Sequence, residues 1–340
     1  MLRLIILGAA CAGLHVFGPA HVRLGRSVFL SEKSYQDMLW YLKWGLGLWA
    51  VFDFNALLNR WAENKWTWRK DASNWDWKNE VAVITGGSQG IGAQVVKKLV
   101  ALGINCAVLD VVPLADTITQ DERNSVRYYR CDISSPDAIR VAAEAIRSDL
   151  GSPSILINNA GIGNAFTILD IPFDNLQRLF QINLISHWST VKEFLPDMLA
   201  KKKGHVMSVA SLASFCTLAA AVDYSCTKSA LLSFHEGLNQ ELKHRYKCPE
   251  IKTTIVHPNW TKSAMTAHAA TQAGLKRIGA KLLEAEDVAE AMVNQVIAAR
   301  SGQLILGPGL SPKLRALPAW LQEVIRDIQA NVVGGNGSTG

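Results

Sequence analysis

Paired cysteines are what this sequence most plainly lacks. Its six cysteines (Cys11, Cys106, Cys131, Cys216, Cys226 and Cys248) lie singly along 340 residues, with no Cys-x-x-Cys. That scatter argues against a disulfide framework and a zinc site, so no metal is expected. It fits small buried thiols in a reducing compartment. Long runs of one charge are missing too. The net charge of +6 and a pI near 9.0 could suit nucleic acid or an anionic surface. Yet the longest basic run is Lys201-Lys202-Lys203, followed by Gly204 as a solvated helix end would be. No nucleic-acid partner is expected. With 19% charged and 49% hydrophobic residues, the chain reads as a globular, somewhat greasy protein, long enough for one large domain with additions.

What is abundant is concentrated at the start. Leu4 to Ala20 is apolar apart from His15 and follows Arg3; its length is near the lower limit of about 17–25 residues for a membrane span. It reads as an uncleaved anchor or as a signal peptide with a poor cleavage site at Gly18-Pro19-Ala20, and the lack of a disulfide pattern favours the anchor. A second greasy stretch, Leu39 to Leu58, holds Trp40, Tyr41, Trp44, Trp49 and Phe52 but also Lys43 and Asp53. Charges in so short a span argue against a crossing, and aromatics mixed with charges suit the headgroup interface. Eight of the eleven tryptophans precede residue 78. Residues 1–78 therefore read as a membrane anchor with a Trp-rich interfacial segment, membrane contact running through residues 1–60. The plainer alternative is an extra helical layer packed on a soluble core.

The chemistry begins at Val81-Ala82-Val83-Ile84-Thr85-Gly86-Gly87-Ser88-Gln89-Gly90-Ile91-Gly92. An apolar run flanked by turn residues predicts a central parallel strand. Gly86, Gly90 and Gly92 let the chain turn sharply and bring backbone amides to a pyrophosphate, at the start of a helix whose positive end faces it. The next strand, from Asn105, ends in Asp110, where a carboxylate accepts from both adenosine ribose hydroxyls and repels a 2′-phosphate. Neither Ser88 nor Gln89 supplies a cation, so NAD is expected in preference to NADP. Asp132, with Ile133 beside it, ends a third strand from Val126 and is placed to accept from the adenine amino group; as a helix cap it is bettered by Ser134 or Ser135.

Strand and helix keep alternating, which predicts βαβ units. Ile155-Leu156-Ile157 leads into Asn158-Asn159-Ala160-Gly161, where small residues let the backbone approach a ribose and nicotinamide. Asn183 lies within an amphipathic helix, where a polar amide ordinarily bonds to backbone. Tyr224 and Lys228 stand four apart and share a helical face. A tyrosine with an ordinary pKa of about 10 gains acid–base use when an ammonium lies beneath it. Ser211, at the end of an apolar run, can be carried beside that phenol.

Taken together, the Thr85–Gly92 turn, Asn158–Gly161, Asn183, Ser211 and Tyr224-x-x-x-Lys228 resemble, in order, the short-chain dehydrogenase/reductase family. Pro258-Asn-Trp-Thr-Lys-Ser263 is similar to the family's loop after the sixth strand, with Asn259 for the common glycine and Ser263 for the common threonine. The resemblance covers roughly residues 79 to 310. It implies a Rossmann-type, doubly wound α/β sheet with helices on both faces, and NAD-dependent interconversion of an alcohol and a carbonyl. Tyr224 would be the proton donor or acceptor, Lys228 would lower its pKa and hold the nicotinamide ribose, Ser211 would polarise the substrate oxygen, and Asn183 would keep a relay water. Ser214 is a rival for the Ser211 role. Gly86, Ser88, Gln89, Gly90, Ile91, Gly92, Asp110, Asp132, Ile133, Asn159, Ala160, Gly161 and Ser263 would line the cofactor, Ser263 through its hydroxyl to the carboxamide.

An N-terminal membrane segment and a Trp-rich lead narrow the resemblance to the retinol and 17β-hydroxysteroid dehydrogenase branch and its fungal homologues. That branch implies a lipophilic substrate (retinoid, steroid or fatty alcohol), the endoplasmic reticulum or a lipid droplet with the catalytic domain facing the cytosol, and a homodimer or homotetramer built through the helices of Asn183 and Tyr224. The rivals are an NADPH-dependent carbonyl reductase of secondary metabolism, which Asp110 opposes, and a catalytically idle NAD(H)-binding membrane scaffold, which the intact Ser211, Tyr224, Lys228 and Asn183 oppose. Met265 to Leu283 is expected as the lid, Glu284 to Ala299 as a helix burying Val288, Ala291, Met292, Gln295 and Val296, and Leu304–Leu306 as a last strand. The remaining segment, 311–340, is expected to form one amphipathic helix from Pro312 to Val333, on the core, on a second subunit or facing a membrane, and then a disordered tail from Asn331.

Overall fold

The computed structural model of the chain describes residues 31–67, 71–115, 124–267 and 269–334, with short pieces before residue 31. The Leu4–Ala20 run and the last six residues lie largely or wholly outside them. The chain divides into two units, Met1–Thr67 and Trp68–Gly340.

In the second unit, Val81–Thr85 forms strand β1, every residue of it buried. A continuous apolar run is what a strand covered on both faces requires. The strands that follow are β2 (Asn105–Asp110), β3 (Val126–Arg130), β4 (Ile155–Asn158), β5 (His205–Val209), β6 (Lys252–Pro258) and β7 (Gly302–Leu306). They make one seven-stranded sheet in the order β3-β2-β1-β4-β5-β6-β7, all neighbours parallel. Order reverses between β1 and β4. In an open parallel sheet that reversal opens a crevice at the carboxyl ends of the strands, where Thr85 and Asn158 pair.

Two layers of helix cover the faces. On one side α2 (Gly90–Ala101) packs with α8 (Ala285–Ile297). Their Val95, Val96, Leu99, Val288, Met292 and Val296 close over Ile84, Val108 and Ile157. On the other lie α3 (Pro136–Leu150), α5 (Ser186–Lys201) and α6 (Val222–His244), with Ile139, Ile146, Phe194, Met198, Leu238 and Leu242 against Val83, Leu109 and Leu156. Each fully buried large aliphatic is worth about 1.5–3 kcal/mol, so the sheet is well held before any polar contact is counted. Local signals set the boundaries. Ser135 caps α3 by accepting from the Ala138 N–H at 3.2 Å, Pro136 fixes the first turn, and Gly151 ends the helix at φ +89°, where a side chain is disfavoured.

Between α4 (Phe173–Phe180) and α5, residues Gln181–Ile185 form one wide π turn. Such an inserted residue often marks a functional place in a helix, and Asn183 is buried within it.

Three expectations change. Trp75 and Trp77 do not continue an interfacial theme: Trp75 is 8% exposed, stacked 4.9 Å from Trp77, and belongs to the core under the sheet. On α8 the buried set is Val288, Ala289, Met292, Val293 and Val296, with Ala291 and Gln295 only partly covered. The broad contact with α2 takes a stripe shifted from the one the spacing suggested. The C-terminal helix is two pieces, a 3-10 stretch Ser311–Ala316 and α9 (Ala319–Gln329). Pro318 forces Leu317 into extended backbone, ψ 159°. α9 buries none of its residues, and Trp320, Val324 and Ile328 are exposed.

The first unit is mainly α1 (Glu32–Glu63), opened by Ser31, whose hydroxyl accepts from the Ser34 N–H at 3.2 Å. Only Tyr35 and Leu39 on it are buried, while Trp40, Tyr41, Trp44, Leu48, Val51, Phe52, Phe54 and Leu57 are exposed. Among the described residues no helix is long and apolar enough to cross a membrane.

Candidate active site

Thr85 ends β1 and organises the crevice. Its hydroxyl accepts from the backbone N–H groups of Asn159 and Ala160 at 3.0 and 3.1 Å. The Asn159 amide returns the bond, donating to the Thr85 and Gly86 carbonyls at 3.2 and 3.0 Å. Space is tight here. A Cβ on Gly92 would stand 2.1 Å from the Gly86 carbonyl oxygen and 2.6 Å from Asn159 Nδ2, and one on Gly86 would meet Ala160 Cα at 2.8 Å. Gly86 and Gly90 also hold φ of +65° and +54°, a region side chains rarely enter. Around Gly90 a Cβ would meet nothing within 4 Å. The glycine turn is therefore closed on its inner side and open above α2, as a bound pyrophosphate requires.

Asp110 ends β2 facing that turn. Its carboxylate accepts from the Ser88 and Val112 N–H groups at 3.0 and 3.1 Å, and the buried Ser88 hydroxyl donates to the Val112 carbonyl at 2.8 Å. Gln89 stands at the N-cap of α2 without capping it through its side chain, and Ile91 follows on the first turn. Asp132 is exposed after β3 and accepts from the Ser134 N–H at 2.9 Å; that bond holds its carboxyl below the usual range. The helix cap nearby is Ser135, and Ile133 is buried. The side chains of Asp110 and Asp132 supply carboxylates here, and the Arg178 charge reaches Asp132.

The other side of the crevice carries the acid–base groups. Tyr224 sits on the first turn of α6 and shares a side-chain hydrogen bond with Ser211. Lys228 is one turn further on, its Nζ 5.4 Å from the Tyr224 ring centroid and donating to the Val209 carbonyl at 2.8 Å. Burial pulls the lysine down to about 8. For the tyrosine, burial pushes the phenol up and the Ser211 bond draws it back. Ser211 accepts from the Ala213 N–H at 3.1 Å and starts a 3-10 turn. Ser214 is committed elsewhere: its buried hydroxyl donates to the Lys228 carbonyl at 2.8 Å.

Asn183 uses both ends of its amide on one residue. Its Nδ2 donates to the Ile162 carbonyl and its Oδ1 accepts from the Ile162 N–H, each at 2.8 Å. The side chain thus clamps the loop after Gly161 rather than reaching for solvent. A Cβ on Gly161 would come within 3.4 Å of Asn183 Oδ1 and 3.6 Å of Lys228 Nζ. The space above Gly161 is the place where clamp and lysine meet. Ser263, its backbone N–H donating to Thr266 Oγ1 at 3.1 Å, lies after β6.

Several participants were not singled out from sequence. His257, just before Pro258, donates from Nδ1 to the Ser211 carbonyl at 3.0 Å, and its ring lies 4.6 Å from that of Phe215. Burial holds it neutral, down to about 4. His187, one turn after Asn183, is likewise held neutral, down to about 3, by burial and by the Lys228 charge. Its helical spacing from Asn183 was the available signal.

The C-terminal segment borders the same place. Arg315 donates to the Ser214 carbonyl and to Ser229 Oγ, each at 3.1 Å. Opposite, α7 (Ala269–Arg277) within the expected lid is met by the chain end. Arg277 donates to the Asn331 carbonyl, and Val332 is packed so closely on Gly274 that a Cβ there would lie 2.3 Å from its carbonyl oxygen. Among the described residues no group of three or more His, Cys, Asp or Glu could hold a metal ion.

Comparison with known proteins adds sequence evidence. Residues 80–274 match the family model described as short chain dehydrogenase. Dehydrogenase RED2 of Cochliobolus heterostrophus is 43% identical over 183 residues, spanning 54% of this chain and 68% of the relative. Human retinol dehydrogenase 10 is 36% identical over 137 residues, 40% of each chain. The crystal structure of a short chain dehydrogenase/reductase from Burkholderia phymatum, in complex with NAD, superposes with a TM-score of 0.65 at 23% identity, covering 74% of this chain and 97% of that one. The structural likeness supports the Rossmann-type fold.

Proposed function

This chain belongs to the short chain dehydrogenase family, and from that premise we propose that it interconverts a lipophilic alcohol and its carbonyl with NAD(H) at a membrane surface. At the coarser level it is an NAD(P)-dependent oxidoreductase acting on CH–OH groups. The observation that supports the finer reading is the meeting of Ser211, Tyr224 and Lys228 beside Gly161.

The crevice fits a nicotinamide dinucleotide at Gly90, where a Cβ would meet nothing within 4 Å, while Gly86 and Gly92 are packed against the chain's own backbone and keep the turn tight. Gly86 to Gly92, with the start of α2, would hold the pyrophosphate, Asp110 the adenosine ribose, and Asp132 with Ile133 the adenine. Asn159 to Gly161, Tyr224 and Lys228 would hold the nicotinamide ribose, and Ser263 the carboxamide. Bound there, the nicotinamide supplies the hydride acceptor or donor. Tyr224 takes the alcohol proton, or returns it to the carbonyl oxygen. Ser211 holds that oxygen, and Lys228 shares the proton load. The Asn183 side chain, bonded to Ile162 and within 3.5 Å of Thr227 Oγ1, would fix the loop that frames the lysine, with amide capacity left for a relay water.

Support for an apolar substrate is local. Phe215 and Leu218 are buried between Ser211 and Tyr224, and a relative bears the name retinol dehydrogenase. Support for membrane attachment through residues 1–60, at the endoplasmic reticulum or a lipid droplet with the catalytic unit in the cytosol, is the row of exposed aromatics on α1. Trp188 on α5, exposed and 4.5 Å from Phe234 on α6, supports a homodimer or homotetramer through those helices.

The test is a screen of detergent-solubilised protein against retinol, steroids and long-chain alcohols with NAD+, following NADH absorbance. Turnover on an apolar alcohol is expected; none on any of them overturns the reading. Deleting residues 1–60 is expected to move the protein from the membrane fraction to the supernatant, and retention there would remove the attachment argument.

A further inference from the structure

Asp223 precedes Tyr224 on the first turn of α6 and has no part in the chemistry above. It is 8% exposed. Its Oδ2 accepts from Asn164 Nδ2 at 3.2 Å, while Oδ1 is buried and has no hydrogen-bond partner among the described residues. The positive end of α6 favours a carboxylate in that turn, yet it leaves Oδ1 without a donor. A carboxylate offers acceptors only, and burying one with an oxygen unpaired is costly. Native chains bond nearly all such atoms, so the missing donor calls for an explanation.

The neighbours of that oxygen belong to the substrate side of the crevice. Asn164 lies on the loop that leaves Gly161, the glycine flanked by Asn183 Oδ1 and Lys228 Nζ. On the same loop a Cβ on Gly163 would stand 3.1 Å from Met265 Sδ, so the start of the expected lid rests one residue before Asn164. The Asn164–Asp223 bond therefore joins the loop expected to carry the nicotinamide to the residue beside Tyr224. Asn164 is only partly buried, which leaves the pair open from its side. On the proposed reading, an alcohol held by Ser211 and Tyr224 and covered by the lid runs past this bond.

We infer that Asp223 is a specificity-determining residue, and that the substrate carries a second hydroxyl which donates to Asp223 Oδ1. Asn164 holds the carboxylate through Oδ2 and leaves Oδ1 for the ligand. Consecutive Cα atoms are about 3.8 Å apart, so neighbouring residues on one helical turn read the two oxygens of the substrate. Those oxygens are then separated by a few bonds and not by the length of the molecule. The class is a lipophilic diol or hydroxy-carbonyl, in preference to an alcohol with a single oxygen. A competitor lacking the second hydroxyl leaves a buried carboxylate oxygen unpaired and is rejected for it, whereas apolar walls such as Phe215 and Leu218 would accept it. This inference deepens the dehydrogenase reading and rests on it.

The experiment compares the full-length, detergent-solubilised wild type with Asp223→Asn on matched long-chain primary alcohols. One is plain, one carries a tertiary hydroxyl placed in turn at successive positions near the carbinol, and one carries the methyl ether of that hydroxyl. A tertiary hydroxyl cannot be oxidised, and an ether accepts a hydrogen bond but cannot donate one. At the best position the wild type is expected to show a kcat/KM about tenfold higher on the hydroxylated alcohol than on the plain alcohol or the ether. In Asp223→Asn the amide oxygen is needed by Asn164, so the NH2 group faces the ligand and the advantage of hydroxyl over ether should disappear. Damage to the fold alone would lower all the substrates together and keep their ratio. Equal kcat/KM on the set in the wild type, or an unchanged ratio in Asp223→Asn, overturns the inference. If Asp223→Asn does not fold, Asn164→Ala releases Oδ2 and is expected to cut the hydroxyl preference about threefold; an unchanged preference there counts against it equally. Should the wild type bind NADH yet oxidise none of the alcohols, the dehydrogenase reading falls. Binding of the same compounds to the NADH complex, followed by nicotinamide fluorescence, then decides the subsite: about tenfold tighter binding of the hydroxylated compound upholds it and equal binding overturns it.

Discussion

The two sides of the crevice use different atoms for their work. On the β1–β2 side nearly everything is backbone and excluded volume: glycines with no room for a Cβ, a threonine hydroxyl holding two amides, a carboxylate holding two more. On the β5–α6 side it is buried polar side chains whose protonation burial has shifted, Tyr224 up and Lys228, His187 and His257 down. On the proposed reading, one side recognises by shape and the other acts by charge. Substitutions should therefore fail differently on the two sides, binding being lost on the first and turnover on the second.

The sharpest test is Gly92→Ala. Its methyl would stand 2.1 Å from a backbone oxygen, too close to be relieved by a rotamer change. NADH binding, followed by nicotinamide fluorescence, should disappear, and turnover with it. Next comes Tyr224→Phe, expected to cost about 10²–10⁴ in kcat, the range for a lost general acid–base. NADH binding should stay within about twofold. If Tyr224→Phe instead abolished binding, the division between the sides would be wrong. Asp110→Ala belongs to the first side but removes charge rather than adding bulk. It should improve kcat/KM with NADP about tenfold, roughly 1.4 kcal/mol, and change kcat with NAD little.

The smallest effect is one of pH. Lys228 titrates near 8 in the folded chain against 10.5 ordinarily. The fraction of neutral amine thus grows as pH rises through 8, and alcohol oxidation should climb with pH and level off above about 8. Between 8 and 10.5 the unfolded chain holds a proton that the folded chain has released, so the lysine's contribution to stability rises with pH across that window. Lys228→Met should flatten that part of a stability–pH curve measured by denaturant unfolding.

How much of this was legible follows from where the partners lie. The Thr85–Gly92 turn and the Tyr224–Lys228 pair are short-range patterns, adjacent in sequence or one helical turn apart, and spacing alone brings them out. The bonds of Asn159 to Thr85, 74 residues apart, need the β1–β4 register, which a sequence does not print. The bonds of the Asn183 amide to Ile162 could not be read either, because only the fold sets that loop against the π turn. Beyond its helical spacing from Asn183, nothing in the sequence marks out His187, whose buried ring nitrogens have no hydrogen-bond partner among the described residues. The break in the C-terminal helix was signalled by Pro318 and was overridden by the apolar three- and four-residue spacing of Leu314, Leu317, Trp320 and Leu321. There the local rule about prolines deserved more weight than the periodicity.

The chain end fastens to both banks of the substrate side, through Arg315 on the loop after Ser211 and through Asn331 and Val332 on the expected lid helix α7. A door hinged at both jambs cannot swing alone. On the proposed reading, with α7 as the lid and a lipophilic substrate, admitting or releasing that substrate would entail letting go of one fastening, and the segment from Ser311 to Val332 would share in the timing of turnover. Amide hydrogen exchange in that segment should slow when substrate and cofactor are both bound.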